Sequence, residues 1–157
     1  MAPLAVGIDI GGTNIKGALV NEAGEILAYK RIPTEAAKGV KHVLKLTAEL
    51  VNELKGDQEA AVGIGIPGML DAEREVVINA PNLKWQNVPI KNLLKEILHL
   101  DVSFDNDGNA AALGEAWLGA GRGCSHFLLI TIGTGIGSGM ILDGEVYGGA
   151  NGLASEL

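Results

Sequence analysis

The chain has 157 residues, is 47% hydrophobic and 20% charged, and carries a formal net charge of −7. That suits one ordinary domain, or parts of two, around a real core. There is no basic cluster to grip nucleic-acid phosphates, and no run of about 18 apolar residues to span a bilayer. Residues 4–10 are a short apolar run that stops at Gly11-Gly12, the pattern of a buried strand. Residues 15–20 and 25–31 continue as two more strands, making a meander of three that Pro33 ends. Val40, Val43, Leu44, Thr47, Leu50, Val51 and Leu54 then fall at helical spacing, with Gly56 as the stop. Residues 60–66 are another apolar strand, ending at Pro67-Gly68. The stretch 69–89 carries Pro81 and Pro89 and shows little periodicity beyond one candidate strand at 76–78. Ile90, Leu93, Leu94, Ile97 and Leu98 predict a second helix, and 102–105 a short strand.

Asp107 is a good N-cap for an alanine-rich helix over 107–117. Gly119, Gly121 and Gly123 form a flexible junction after it. Strands at 127–132 and 136–142, a turn at Asp143-Gly144 and a short strand at 145–147 follow. The order βββαβαβα followed by a new βββ predicts an N-terminal lobe over residues 1–118 and the start of a second lobe over 119–157. The second lobe would lack its helices here, so the chain is expected to be the N-terminal part of a longer protein.

The strand–turn–strand unit occurs twice. The first copy runs Ile8-Asp9-Ile10-Gly11-Gly12-Thr13-Asn14-Ile15-Lys16-Gly17; the second runs Ile130-Thr131-Ile132-Gly133-Thr134-Gly135-Ile136-Gly137-Ser138-Gly139. A tight turn of glycine and threonine aims several backbone N–H groups at one spot, which suits a phosphate. Either copy alone reads better as an ordinary hairpin with a glycine turn; two copies, with Asp9 and Lys16 beside the first, favour phosphate binding. Two such turns in one chain suggest two lobes closing on one nucleotide.

The remaining polar residues have plainer readings. Cys124 is the only cysteine, so neither an internal disulfide nor a cysteine zinc site can form, and a reducing cytoplasm fits. His42, His99 and His126 have no second ligand at metal spacing and read as structural. Trp85 and Trp117 read as packing residues, with stacking on a sugar open to Trp85 only.

Three motifs in order then carry a resemblance. They are Asp9-Ile10-Gly11-Gly12-Thr13 with Lys16, Asn106-Asp107-Gly108-Asn109-Ala110-Ala111-Ala112-Leu113-Gly114-Glu115, and Thr131-Ile132-Gly133-Thr134-Gly135-Ile136-Gly137-Ser138-Gly139. Together they resemble the ROK family of repressors, open reading frames and sugar kinases. The resemblance covers nearly the whole chain and is nearest to the family's glucokinases and N-acetylmannosamine kinases. It implies an α/β fold of the ribonuclease H-like class, shared with actin, hexokinase and heat-shock ATPases: a five-stranded mixed sheet with flanking helices, and a separate three-strand sheet over 124–148. It also implies phosphoryl transfer from ATP to a hexose hydroxyl, most simply glucose to glucose 6-phosphate, with Mg²⁺.

The roles implied are these. Gly11, Gly12, Thr13 and Lys16 would hold the triphosphate from one side, and Gly133, Thr134 and Gly135 from the other. Asp9 would orient Mg²⁺ through water, although a turn-capping aspartate or a solvated strand lysine explains Asp9 or Lys16 alone. Asp107 would be the catalytic base, its pKa lowered by helix N–H groups. Gly68, Asn82, Asn106, Asp107 and Glu156 would line the sugar site, with Gly65, Pro67 and Asn79 nearby. Asn79 and Asn82 are equally explained by turn chemistry.

Two departures stand out. The family's zinc ligands, a cysteine cluster with a histidine, are absent from this chain, and Ser155 stands where glycine is usual. Hexose and ATP are the expected partners, with homodimerisation and no nucleic acid or membrane. A sugar-responsive regulator of the same family is the alternative, disfavoured by the acidic charge and by the first motif starting at residue 9. The 157 residues alone are expected to bind sugar weakly, to show no measurable phosphorylation and to self-associate through an exposed edge at 127–147.

Overall fold

The computed structural model describes residues 3–133, 135–150, 152 and 154. Its centre is a five-stranded mixed sheet built from β1 (Leu4–Ile10), β2 (Asn14–Asn21), β3 (Ile26–Pro33), β4 (Ala61–Ile66) and β8 (Val102–Asn106), in the order β3-β2-β1-β4-β8. β1, β2 and β3 are antiparallel neighbours, whereas β4 and β8 run parallel to β1. This is the ribonuclease H-like order that the three-strand meander predicts. The third strand runs two residues further than expected and ends at Pro33, the proline expected to stop the meander.

Period-two alternation decides which residues face the core. Val6, Ile8 and Ile10 of β1 are buried, as are Ile15 and Leu19 of β2 and Val62, Ile64 and Ile66 of β4. They pack under α1 (Val40–Lys55), whose Val43, Leu44, Thr47, Ala48, Leu50, Val51 and Leu54 recur at helical spacing and are all buried. The parallel strands need crossover connections, and α1 and α2 (Ile90–Leu98) supply them. The other face carries small residues, Gly7, Ala18, Gly63 and Ser103, and stays partly open as a cavity of about 630 Å³ walled by Tyr29 and Leu113.

Between β4 and α2 lies a second sheet, of β5 (Met69–Leu70), β6 (Val77–Ala80) and β7 (Trp85–Val88), in the order β5-β6-β7. Sequence reasoning expected one strand here, at 76–78. In β6 and β7 only the two ends are buried, Val77 with Ala80 and Trp85 with Val88, and both middle residues face outward. Such spacing hides the alternation by which strands are recognised. Trp85 packs into the core as expected, whereas Trp117 is 49% exposed, contrary to expectation.

The helix α3 (Asp107–Leu118) follows β8 without a linker. It packs against the first sheet, and on its other side against the third sheet, β9 (Phe127–Ile132), β10 (Ile136–Leu142) and β11 (Glu145–Val146), in the order β11-β10-β9. That contact is between backbones. A Cβ on Gly108 would run into the Ser138 carbonyl, and one on Gly139 into the Gly108 carbonyl and Ala112. Two glycines therefore allow α3 and β10 to touch. Among the described residues, no helix is long and apolar enough to cross a membrane.

Candidate active site

The C-terminal ends of β1, β4 and β8, the start of α3 and the β9–β10 turn surround one cleft of about 430 Å³. Ligands of open α/β sheets gather at such strand ends. Ten of the residues singled out from sequence line it: Asp9, Gly11, Lys16, Pro67, Gly68, Asn82, Asn106, Asp107, Gly133 and Gly135. Gly12 and Thr13 belong to the same first turn but are not in the cleft wall; Gly12 packs on Asn82 and Thr13 is exposed. Thr134 and Glu156 lie outside the described residues. Asn79 sits in β6, where the backbone places its carbonyl against Gly68, a glycine with φ of 99° that a Cβ would drive into that carbonyl.

Asp9 and Lys16 face each other across the β1–β2 register, and Lys16 Nζ lies 3.0 Å from Asp9 Oδ2. Both side chains are about half exposed, so the pair is weak and easily exchanged for a ligand. The lysine charge sits beside the first glycine turn, balanced by the Asp9 carboxylate. Among the described residues, no three His, Cys, Asp or Glu side chains cluster as a metal site.

The start of α3 corrects two expectations. Asn106, not Asp107, is the N-cap: it keeps extended backbone angles, and its Oδ1 accepts from Gly108 N at 2.8 Å and Asn109 N at 3.3 Å. Its Nδ2 donates to the Gly68 carbonyl at 2.8 Å, tying the helix start to the β4–β5 loop. Asp107 is the first helical residue, and Gly108 N donates also to its Oδ1 at 2.9 Å.

The pKa of Asp107 is raised, not lowered as expected. Burial is the main cause; the Gly108 N–H opposes it, and the nearby Asp9 charge adds to it. The expectation weighed the helix N–H groups alone; taking the carboxylate out of water outweighs the Gly108 N–H that it accepts.

Sequence reasoning missed two features of this region. Ser138 is buried in the cleft wall. Asp105, adjacent to the cap, pairs with Arg74 at 2.9 Å. A run of three polar residues, Asp105-Asn106-Asp107, at the end of an apolar strand was the available signal.

Comparison with known proteins identifies the family and the fold. The ROK family profile matches residues 5–157. A glucokinase of Halalkalibacterium halodurans is 39% identical over 158 residues, covering 97% of this chain and 48% of that protein. A putative xylose repressor of a Caldicellulosiruptor species is 36% identical, covering 98% of this chain and 40% of the repressor. The crystal structure of a ROK family glucokinase from Streptomyces griseus, in complex with glucose and AMPPNP, superposes with a TM-score of 0.91 at 36% identity, covering 98% of this chain and 49% of that one. The chain thus spans about half the length of the curated glucokinase it matches.

Proposed function

This chain belongs to the ROK family, and on that footing we propose that it carries the base and both phosphate turns of an ATP-dependent hexose kinase, with glucose the first substrate to try. The observation behind this reading is the single cleft in which Asp107 meets Gly11 on one wall and Gly133 and Gly135 on the other. A neighbour of the same fold holds glucose and a nucleotide analogue.

In this reading a sugar hydroxyl oxygen bonds to the γ-phosphorus of ATP, the bond from that phosphorus to the β-phosphate bridge breaks, and ADP leaves. The hydroxyl proton passes to a carboxylate oxygen of Asp107. Such transfers pass through a loose transition state, so positioning and charge matter most. Gly11, Gly12 and Thr13 offer N–H groups to the phosphates from one side, and Gly133, Thr134 and Gly135 from the other. Lys16 neutralises phosphate charge once Asp9 releases it. Gly68, Asn82, Asn106 and Glu156 surround the sugar.

A single half-exposed carboxylate at the phosphate turn fits a Mg²⁺ ion, which keeps most of its waters and takes its other ligands from phosphates. Asp9 would hold that ion, which supplies charge neutralisation on the phosphates. Such a kinase works where ATP is made, consistent with a chain whose one cysteine is unpaired. The N-terminal lobe over 1–118, a second lobe beginning at 119 and a homodimer complete the reading.

A coupled assay of ADP release tests it on the protein as it occurs in its source, across glucose, mannose, N-acetylmannosamine, fructose and allose. Hexose-dependent turnover is expected, and Asp107→Asn should lower kcat by roughly 10²–10⁴ with little change in sugar affinity. The repressor relative motivates a second reading, as a sugar-responsive regulator. Sugar binding with no turnover on any hexose would favour that reading instead.

A further inference from the structure

Asp105 sits one residue before the helix cap. Its side chain is 18% exposed and makes three contacts. Oδ1 accepts from Asn106 N at 2.8 Å and from Asn109 Nδ2 at 2.9 Å; Oδ2 lies 2.9 Å from Arg74 Nη2. The first two contacts span the junction from β8 into α3, on either side of Asp107. Asn109 is itself 3% exposed, so its carboxamide is held inside the protein.

Arg74 belongs to the loop between β5 and β6. Its φ is 53°, a conformation that non-glycine residues adopt rarely. The loop is already fixed: Asp71 Oδ1 accepts from Glu75 N at 2.7 Å and Val76 N at 2.8 Å, and Arg74 N donates to Asp71 O at 3.0 Å. Thus the strained residue is presented by a built loop. The β5–β6 hairpin is tied to the end of β8 at two points, by Asn106 to the Gly68 carbonyl at its root and by Arg74 to Asp105 at its tip.

We propose that Arg74 and Asp105 form a latch that holds the β5–β6 hairpin, with Gly68 and Asn79 on it, at a fixed distance from Asp107. Both are positioning residues. The proposal rests on the kinase reading, in which neither touches the sugar or the nucleotide. The two arms of the latch act on different quantities. Arg74 acts through the hairpin and therefore on sugar KM. The Oδ1 contacts of Asp105 act through the β8–α3 junction and therefore on kcat.

Kinetics on the protein from its source separate the arms. Arg74→Ala should raise sugar KM about 3–10-fold with kcat within about twofold, because small misplacements of a substrate-holding element are costly. Asp105→Asn keeps an acceptor for Asn106 and Asn109 but turns an amide donor toward the Arg74 guanidinium and breaks the pair, so it should match Arg74→Ala. The double variant should be no worse than either single one. Asp105→Ala loses both arms and should lower kcat about tenfold as well. Arg74→Lys should recover part of the KM. Additive single variants, or lost stability with KM and kcat unchanged, would overturn the latch.

A second arm does not depend on turnover. In ¹⁵N spectra of the 157-residue chain, Arg74→Ala should shift the amides of 106–109, and Asp105→Asn those of 71–76. If each substitution disturbs only its own segment, the latch is wrong. If both segments respond but no hexose is phosphorylated, the latch stands and the kinase reading falls.

Discussion

The two glycine turns share a sequence pattern and differ in almost everything that holds them. The first is fastened from three sides. Gly11 N donates to Asn14 O at 2.9 Å, Thr34 Oγ1 donates to the Gly11 carbonyl at 2.6 Å, and Thr34 N donates to Thr13 O at 3.0 Å. Thr34 is completely buried, and Gly12 lies against Asn82. The second turn closes on itself through Gly133 N and Gly135 O at 2.9 Å, and its flanking residues stand in the open: Ile132 is 87% exposed and Ile136 63%. A shared pattern thus specifies the local bend, while stiffness comes from what is packed around it. One jaw of the cleft is fixed, and the other hangs from α3.

The most severe way to break this contrast is to detach the hanging jaw. Gly139→Val places a side chain where the Gly108 carbonyl and Ala112 already are. Overpacking of this kind costs about 1–3 kcal/mol. Amide exchange should speed up across β9, β10 and β11 while β1, β2 and β4 stay protected; equal loss in both sheets would show that they unfold as one unit.

Loosening the fixed jaw is milder. Thr34→Val keeps the shape and strips the Gly11 carbonyl of its hydroxyl partner, which should cost about 1–2 kcal/mol in urea unfolding. An unchanged midpoint would mean that the anchor contributes nothing.

A pH measurement sharpens the comparison at the base. Asp107 has its pKa raised above the ordinary 3.8 by burial first and by Asp9 as well. A raised carboxyl pKa means that the folded state prefers the protonated form. That contribution is whole below the ordinary value and is lost as pH rises through the raised one. Asp107→Asn should therefore raise the thermal midpoint near neutral pH, and the gain should vanish below about pH 3.8. In the proposed role of proton acceptor the group must be ionised, so kcat/KM should fall as pH drops through the raised value. A midpoint gain that persists in acid would assign it to packing instead.

The smallest expected effect concerns the open residues. Ile132→Ser with Ile136→Ser should leave stability nearly unchanged and reduce self-association in sedimentation runs, since large exposed apolar patches drive association. Association equal to that of the unaltered chain would place the contact elsewhere.

Much of this was legible in the sequence, for physical reasons. The meander, α1 and α2 follow from clean periodicity, and α1 was foreseen nearly to the residue because Gly56 stops it. The cleft was legible through glycine spacing at residues 11 and 133 and through the Asp107 helix start. The β5–β6–β7 sheet was not, because its strands bury only their ends. The direction of the Asp107 shift was missed because burial, its main cause, depends on what packs around the helix start, and no local pattern shows that. The cap itself lies one residue earlier than expected, at Asn106. The Arg74–Asp105 pair joins residues 31 positions apart, beyond any local pattern.

The Gly108–Gly139 crossing makes α3 an axle. Backbone meets backbone there, with only the small Ala112 side chain beside the contact. β10 is a lever on that axle. Gly135 lies four residues out from Gly139, about 13 Å at strand rise, so a turn of about 10° at the crossing swings the tip by roughly 2 Å. That distance separates a hydrogen bond to a phosphate from no bond at all. Asp107 sits at the hub, one residue from the crossing, and barely moves during such a swing. In the kinase reading proposed above, such a swing would move the Gly133–Gly135 turn while Asp107 keeps its place.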